Sequence, residues 1–161
     1  MSEQPYLWSD GPWLPIKDGN PTAMSLFKRH YTARERRKIE QCVGPGQKLL
    51  LLTPDARALF AWRKFIDDAK QDGVNCAIFR NEKSDAGKSS ELIEAAKVIA
   101  WNRWPEERLY TYVDEQKVRH KRDPGRCFLR AGLRKCGYTK SGKLILECLP
   151  ERAMVRKAEA R

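Results

Sequence analysis

The chain has 161 residues, and 32 Lys and Arg against 21 Asp and Glu give it a net charge of +11 and a pI near 9.6. With 41% hydrophobic residues and five each of Trp, Tyr and Phe it can bury a core, which excludes a purely disordered tail protein. Apolar runs such as residues 49–52 are far too short for a membrane helix, and the opening residues lack a charged-then-apolar leader. A soluble, cytoplasmic protein with no membrane partner is expected.

Residues 1–24 hold Pro5, Pro12, Pro15 and Pro21 with Gly11 and Gly19, so an irregular N-terminal arm is expected, anchored by Trp8 and Trp13. A main domain over 25–150 and a basic tail over 151–161 follow. Good helix formers predict a helix over 25–41, stopped by Gly44-Pro45-Gly46. Residues 48–53 and 58–64 read as strands joined at Asp55, hence a hairpin. A short apolar strand is predicted over 74–79. Ser89-Ser90-Glu91 then opens a helix in which Leu92, Ile93, Ala96, Ile99 and Ala100 recur at three- and four-residue spacing until Pro105. Residues 108–114 alternate as a strand, with Leu109, Thr111 and Val113 on one face and Tyr110, Tyr112 and Asp114 on the other. Asp123-Pro124-Gly125 turns into a short helix over 126–133, and 143–148 is the last strand. No internal repeat is present.

The five cysteines, Cys42, Cys76, Cys127, Cys136 and Cys148, form no C-x-x-C pair, so free thiols are expected. With His30 and His120 the only imidazoles, no metal ligand set is assigned, and whether a weak site uses one His with carboxylates stays open. The positive charge is clustered. Lys28, Arg29, Arg34, Arg37 and Lys38 form one group, and Arg119, Lys121, Arg122, Arg126 and Arg130 a second. Solvated helix faces carry such runs too. Tyr31, Phe128 and Tyr138 beside them favour nucleic acid, and double-stranded DNA is the expected partner.

The stretch from Cys76 to Glu82, followed by Ala86-Gly87-Lys88-Ser89-Ser90, reads as a strand passing through a glycine loop into a helix N-terminus, where free amides can cradle a phosphate. Gly87-Lys88-Ser89 matches the end of a P-loop, but the place of its first glycine is taken by Glu82, so a nucleotide-hydrolysing loop is not expected. The loop resembles instead the acyl-CoA pyrophosphate loop of the GNAT acyltransferases, and the order of elements agrees with that superfamily from about residue 48 to 148. The resemblance implies an α/β fold, a GNAT-like mixed sheet of five to seven strands with splayed central strands flanked by helices. It also implies an acyl-CoA-like donor held by Arg80, Gly87, Lys88, Ser89 and Ser90. Two departures are a short last helix and Phe128 near where many members carry a tyrosine acid. A generic α/β domain with Ser89 as a helix cap is the alternative.

Within that superfamily the chain resembles the Mom family of phage DNA modification proteins. His30-Tyr31, the strand Arg108-Leu109-Tyr110-Thr111-Tyr112-Val113, the segment Asp123-Pro124-Gly125-Arg126-Cys127-Phe128 and the following Ala131-Gly132 carry that likeness. The resemblance implies carbamoylmethylation of adenine N6 in phage DNA, protecting it from restriction; the donor itself is not legible. Such chemistry needs an aromatic surface for the base and a proton acceptor. Tyr31, Tyr110 and Tyr112 can stack, and His30 and Asp123 can accept or orient, which makes His30, Tyr31, Asp123 and Tyr112 the candidate catalytic set. Each has an ordinary reading beside it: His30 on a surface, Asp123 in a turn, the tyrosines in the core, and Cys127 as a packed thiol. An N-acetyltransferase of a small molecule or protein, and a non-catalytic basic DNA-binding phage protein, are the rival functions.

Overall fold

A computed structural model describes residues 11–29, 43–66, 70–116 and 124–150. The elements are β1 (Leu14–Ile16), α1 (Pro21–Lys28), β2 (Gln47–Leu52), β3 (Ala58–Lys64), β4 (Val74–Asn81), α2 (Ser89–Arg103), β5 (Leu109–Val113), α3 (Arg126–Arg130), β6 (Arg134–Tyr138) and β7 (Leu144–Cys148). They build a mixed α/β domain around a seven-stranded sheet of order β1-β2-β3-β4-β5-β7-β6, in which β4 and β5 are the parallel pair and the other neighbours are antiparallel. Among the described residues no helix is long and apolar enough to cross a membrane.

The leucine run of β2 is buried on both faces, which makes it a central layer rather than a half-wet strand. Leu49 and Leu51 join the cluster under α2, while Leu50 and Leu52 join the one under α1. The expected hairpin is present, with β2 and β3 paired from Leu52↔Leu59 to Gln47↔Lys64. Two indoles then hang α2 on the sheet: Trp13 Nε1 donates to Leu92 O and Trp62 Nε1 to Ala96 O, each at 2.8 Å, one helical turn apart. Burying these N–H groups without partners would cost roughly 1–3 kcal/mol each.

Three sequence expectations change. The segment 1–24 is not wholly an arm: Trp13 is fully buried, and Leu14 and Ile16 pair with Leu52 and Leu50 as edge strand β1, where Pro15 is tolerated because one side of an edge strand needs no donor. The helix expected from Ser25 begins earlier, at Pro21, because the Asn20 carboxamide accepts from Thr22 N and Ala23 N at 2.9 and 3.2 Å and proline suits the first helical position. Its continuation over 30–42 lies outside the described residues. The segment after α3, where the sequence predicts no element, forms edge strand β6, and α3 itself ends at Arg130 rather than at Leu133.

The feature that matters most for a site lies in β4. Ala61 pairs with Ile78 but Trp62 pairs with Cys76, so Ala77 is an extra residue without a partner on β3. This bulge turns Ile78 toward α1 although Cys76 faces α2. At the same point the parallel ladder ends: β4 and β5 pair at Val74↔Leu109, Asn75↔Tyr110 and Cys76↔Thr111, and Thr111 Oγ1 closes the ladder on Cys76 O at 3.1 Å. Beyond it β4 runs on to Asn81 and β5 to Val113 with no ladder between them.

Candidate functional site

Over the end of this parallel pair, on the α2 side of the sheet, lies a cleft of about 300 Å³. Lys88, Ser89 and Ser90 at the start of α2 form one wall, and Gly125, Arg126, Cys127 and Arg130 of α3 the other. Arg126 and Arg130 are four residues apart and so share a helix face. Among the described residues neither they nor Lys88 has an ion-pair partner. Behind the α3 wall the packing is apolar: Phe128 meets Phe79 of β4 edge-on at 5.9 Å, and Gly125 sits against Val113 and Leu146. Lys97 Nζ donates to Ala131 O at 2.7 Å and fixes the end of α3 to α2.

The loop entering α2 is held by side chains rather than by its glycine alone. Asn81 Nδ2 donates to Ser89 Oγ at 3.1 Å and Asn81 Oδ1 accepts from Ser84 N at 2.9 Å. Lys88, not Ser89, is the N-cap, and its N–H donates to the Glu91 carboxylate at 2.9 Å, as the third residue of a helix does when it reaches back over the first turn. Ser89 is the first helical residue, so its hydroxyl is free of capping duty. With Lys88, Arg126 and Arg130 against Glu91, the cleft keeps a cationic balance and two hydroxyl donors, a set that suits a phosphate-bearing ligand.

Of the residues expected to bind a cofactor, Lys88, Ser89 and Ser90 line the cleft and Gly87 precedes them in the loop. Arg80 does not line it. Its Nε donates to Glu82 Oε2 at 2.6 Å, and Arg29 grips the same carboxylate through Nε and Nη2 at 2.7 and 2.8 Å. The Arg29 hydrogen bonds, joined by those of Arg80 and opposed by desolvation, hold the Glu82 carboxyl down at about 2. Arg29 is therefore half of an ion pair tying α1 to β4, whereas Lys28 beside it is exposed. Arg126 and Arg130, expected as DNA contacts, stand on the cleft wall.

Tyr112 lies on the sheet face opposite α2, half-buried and edge-on to Tyr110 at 5.5 Å. Tyr110 is fully buried, with Arg108 over its ring at 4.9 Å and its hydroxyl toward Gln71 O at 3.4 Å, so Tyr112 is the more accessible of the two. His30, Tyr31, Arg34, Arg37, Lys38, Arg119, Lys121, Arg122 and Asp123 lie outside the described residues, as does Cys42. Cys76, Cys127, Cys136 and Cys148 are free thiols, and burial pushes the Cys76 thiol well above its ordinary range. Among the described residues no group of His, Cys, Asp and Glu is arranged to hold a metal.

Asp55, Asn81 and Ser84 belong to this site through the loop they build, and sequence reasoning missed that role. Asp55 was legible as a turn residue, but nothing in its spacing pointed to partners 29 and 30 residues on. No family model, curated protein or solved structure matches the chain.

Proposed function

We propose that the protein is a GNAT-type transferase that modifies the N6 amine of adenine in duplex DNA, as the Mom resemblance implies. The observation that carries this reading is the coincidence of the Ala77 bulge, the end of the β4–β5 ladder and the cationic cleft above it. Parallel strands that part leave backbone groups of β4 without a strand partner, and a ligand can take their place. Lys88, Ser89, Ser90, Arg126 and Arg130 would hold the phosphates of an acyl-CoA-like donor, which would supply the electrophilic thioester carbon and carry its sulfur away as the leaving thiol when the bond to N6 forms. The chain's own task is then to bring adenine N6 to that carbon and to accept its proton. Tyr112 offers a stacking face on the far side of the parting strands, and His30 and Asp123 are assigned the proton.

The net charge of +11 supports a polyanionic acceptor over a small amine. Mass analysis of nucleosides from DNA of cells expressing the protein separates the readings. A new adenine species supports the transferase, with His30→Ala and Asp123→Ala each lowering its yield about 10²-fold. Unmodified adenine with acetylated amines points to an ordinary N-acetyltransferase, and neither product points to a basic DNA-binding protein.

A further inference from the structure

The β2–β3 turn makes no wall of the cleft, yet it is bonded to the loop that does. Asp55 Oδ1 accepts from Thr53 Oγ1 at 2.7 Å and from Arg57 N at 3.1 Å, which shapes its own turn. The same carboxylate reaches across to the loop before α2, where Ser84 Oγ lies 2.9 Å from both its oxygens and Asp85 N donates to Oδ2 at 2.9 Å. Ser84 passes the constraint on. Its Oγ accepts from Ala86 N at 3.1 Å, its N–H donates to Asn81 Oδ1, and Asn81 Nδ2 donates to Ser89 Oγ in the cleft wall.

The polarity of this chain has a consequence at its end. An ionised carboxylate can only accept, so the Ser84 hydroxyl proton is committed to Asp55 and the Ser84 oxygen is free to receive Ala86 N. The Asn81 carboxamide is likewise fixed, carbonyl toward Ser84 N and amide toward Ser89. Ser89 Oγ is thereby an acceptor toward Asn81, and its own proton is left to donate to an anion in the cleft. The whole loop is set before any ligand arrives, and its ordering cost is already met in the free protein.

We infer that Asp55 is a positioning residue for the cleft's anionic ligand, presetting the 82–88 loop and the donor direction of Ser89 through Ser84 and Asn81. The inference rests on the donor reading of the cleft and names the residue that keeps that site in binding form. The carboxylate is the right group for the position, because its two oxygens serve four donors on two separate segments; a carboxamide would put an N–H₂ against at least one of them.

The test is titration of coenzyme A into the full chain and its Asp55→Ala, Asp55→Asn and Ser84→Ala variants, with duplex DNA affinity and amide exchange of Asp85 and Ala86 measured alongside. Asp55→Ala and Ser84→Ala are expected to weaken coenzyme A binding roughly 10- to 50-fold, from the renewed cost of ordering the loop. Asp55→Asn should fall between them and wild type, DNA affinity should stay put, and the two amides should exchange faster. Ser84→Ala leaves the β2–β3 turn intact, so its matching loss separates positioning from a general weakening of the fold. Unchanged coenzyme A affinity in Asp55→Ala and Ser84→Ala overturns the inference, and so do unchanged exchange rates. If wild type binds no coenzyme A the donor reading fails instead, and amide exchange alone then decides whether Asp55 presets the loop.

Discussion

Gly125→Ala probes the packing that sets the α3 wall of the cleft. Gly125 caps α3 with φ +77, a left-handed conformation that costs an L-residue about 1–2 kcal/mol. A Cβ there would stand 2.8 Å from Leu146 Cδ1 and 3.1 Å from Val113 Cγ2. Both neighbours are buried core side chains, so they cannot swing into solvent, and such overpacking adds about 1–3 kcal/mol. The expected loss is therefore about 2–5 kcal/mol. Gly142→Ala isolates the backbone share, because Gly142 has φ +91 in the β6–β7 turn with nothing within 4 Å of its Cβ position, and about 1–2 kcal/mol is expected. Urea unfolding of both variants with unchanged slope gives the difference directly. Gly125→Ala should also displace Arg126 and weaken ligand binding in the cleft, while Gly142→Ala should not. Equal losses in the two variants would refute the close seating of α3 on β5 and β7.

Trp62→Phe removes the 2.8 Å indole bond to Ala96 O and part of a buried side chain, and should cost about 1–3 kcal/mol in urea unfolding; an unchanged midpoint would mean α2 is not hung on the sheet as described. Glu82 has a folded pKa of about 2, below its unfolded value, so its contribution is present above about pH 4.5 and lost as pH falls toward 2. The urea midpoint of wild type should accordingly drop more between pH 6 and pH 2.5 than that of Glu82→Gln, and parallel curves would contradict the Arg29–Glu82–Arg80 cluster. Duplex DNA affinity should fall with salt at a log–log slope of about −5 for roughly six phosphate contacts, and a flat response would remove DNA as the acceptor.

Much of the scaffold was legible because its signals are local. The leucine run and the Asp55 turn announced the β2–β3 hairpin, and three- and four-residue apolar spacing ended by Pro105 announced α2. Strand β1 was hidden by Pro12 before it and Pro15 within it, because the exclusion of proline applies to central strands and not to an edge. Strand β6 was hidden because nearly all of it is exposed, so it has no apolar alternation, and its pairing with β7 alone defines it. A splay of the central strands was expected from the family resemblance; what the structure shows is a β4–β5 ladder that ends at Cys76↔Thr111, and no residue type advertises the bulge beside it: Ala77 is simply an apolar residue inside an apolar strand, and the register with β3 decides it. Lys88, Ser89 and Ser90 stand where the loop pattern put them, at the start of α2, and there they line the cleft. Arg80 stands outside the cleft wall because a carboxylate two residues on captures it, a pairing no loop pattern announces, and the Asp55–Ser84–Asn81 chain is tertiary throughout.

The proposed donor site is the cleft over the end of the β4–β5 ladder. It is tested most directly by following backbone amide resonances of the full chain while coenzyme A is added. Saturable shifts are expected at Ala77–Asn81, where β4 runs beyond its ladder with β5, at Ser89 and Ser90, and at Arg126 and Cys127. Shifts confined to other parts of the molecule, or none at ligand concentrations in the millimolar range typical of weak cofactor binding, would contradict it.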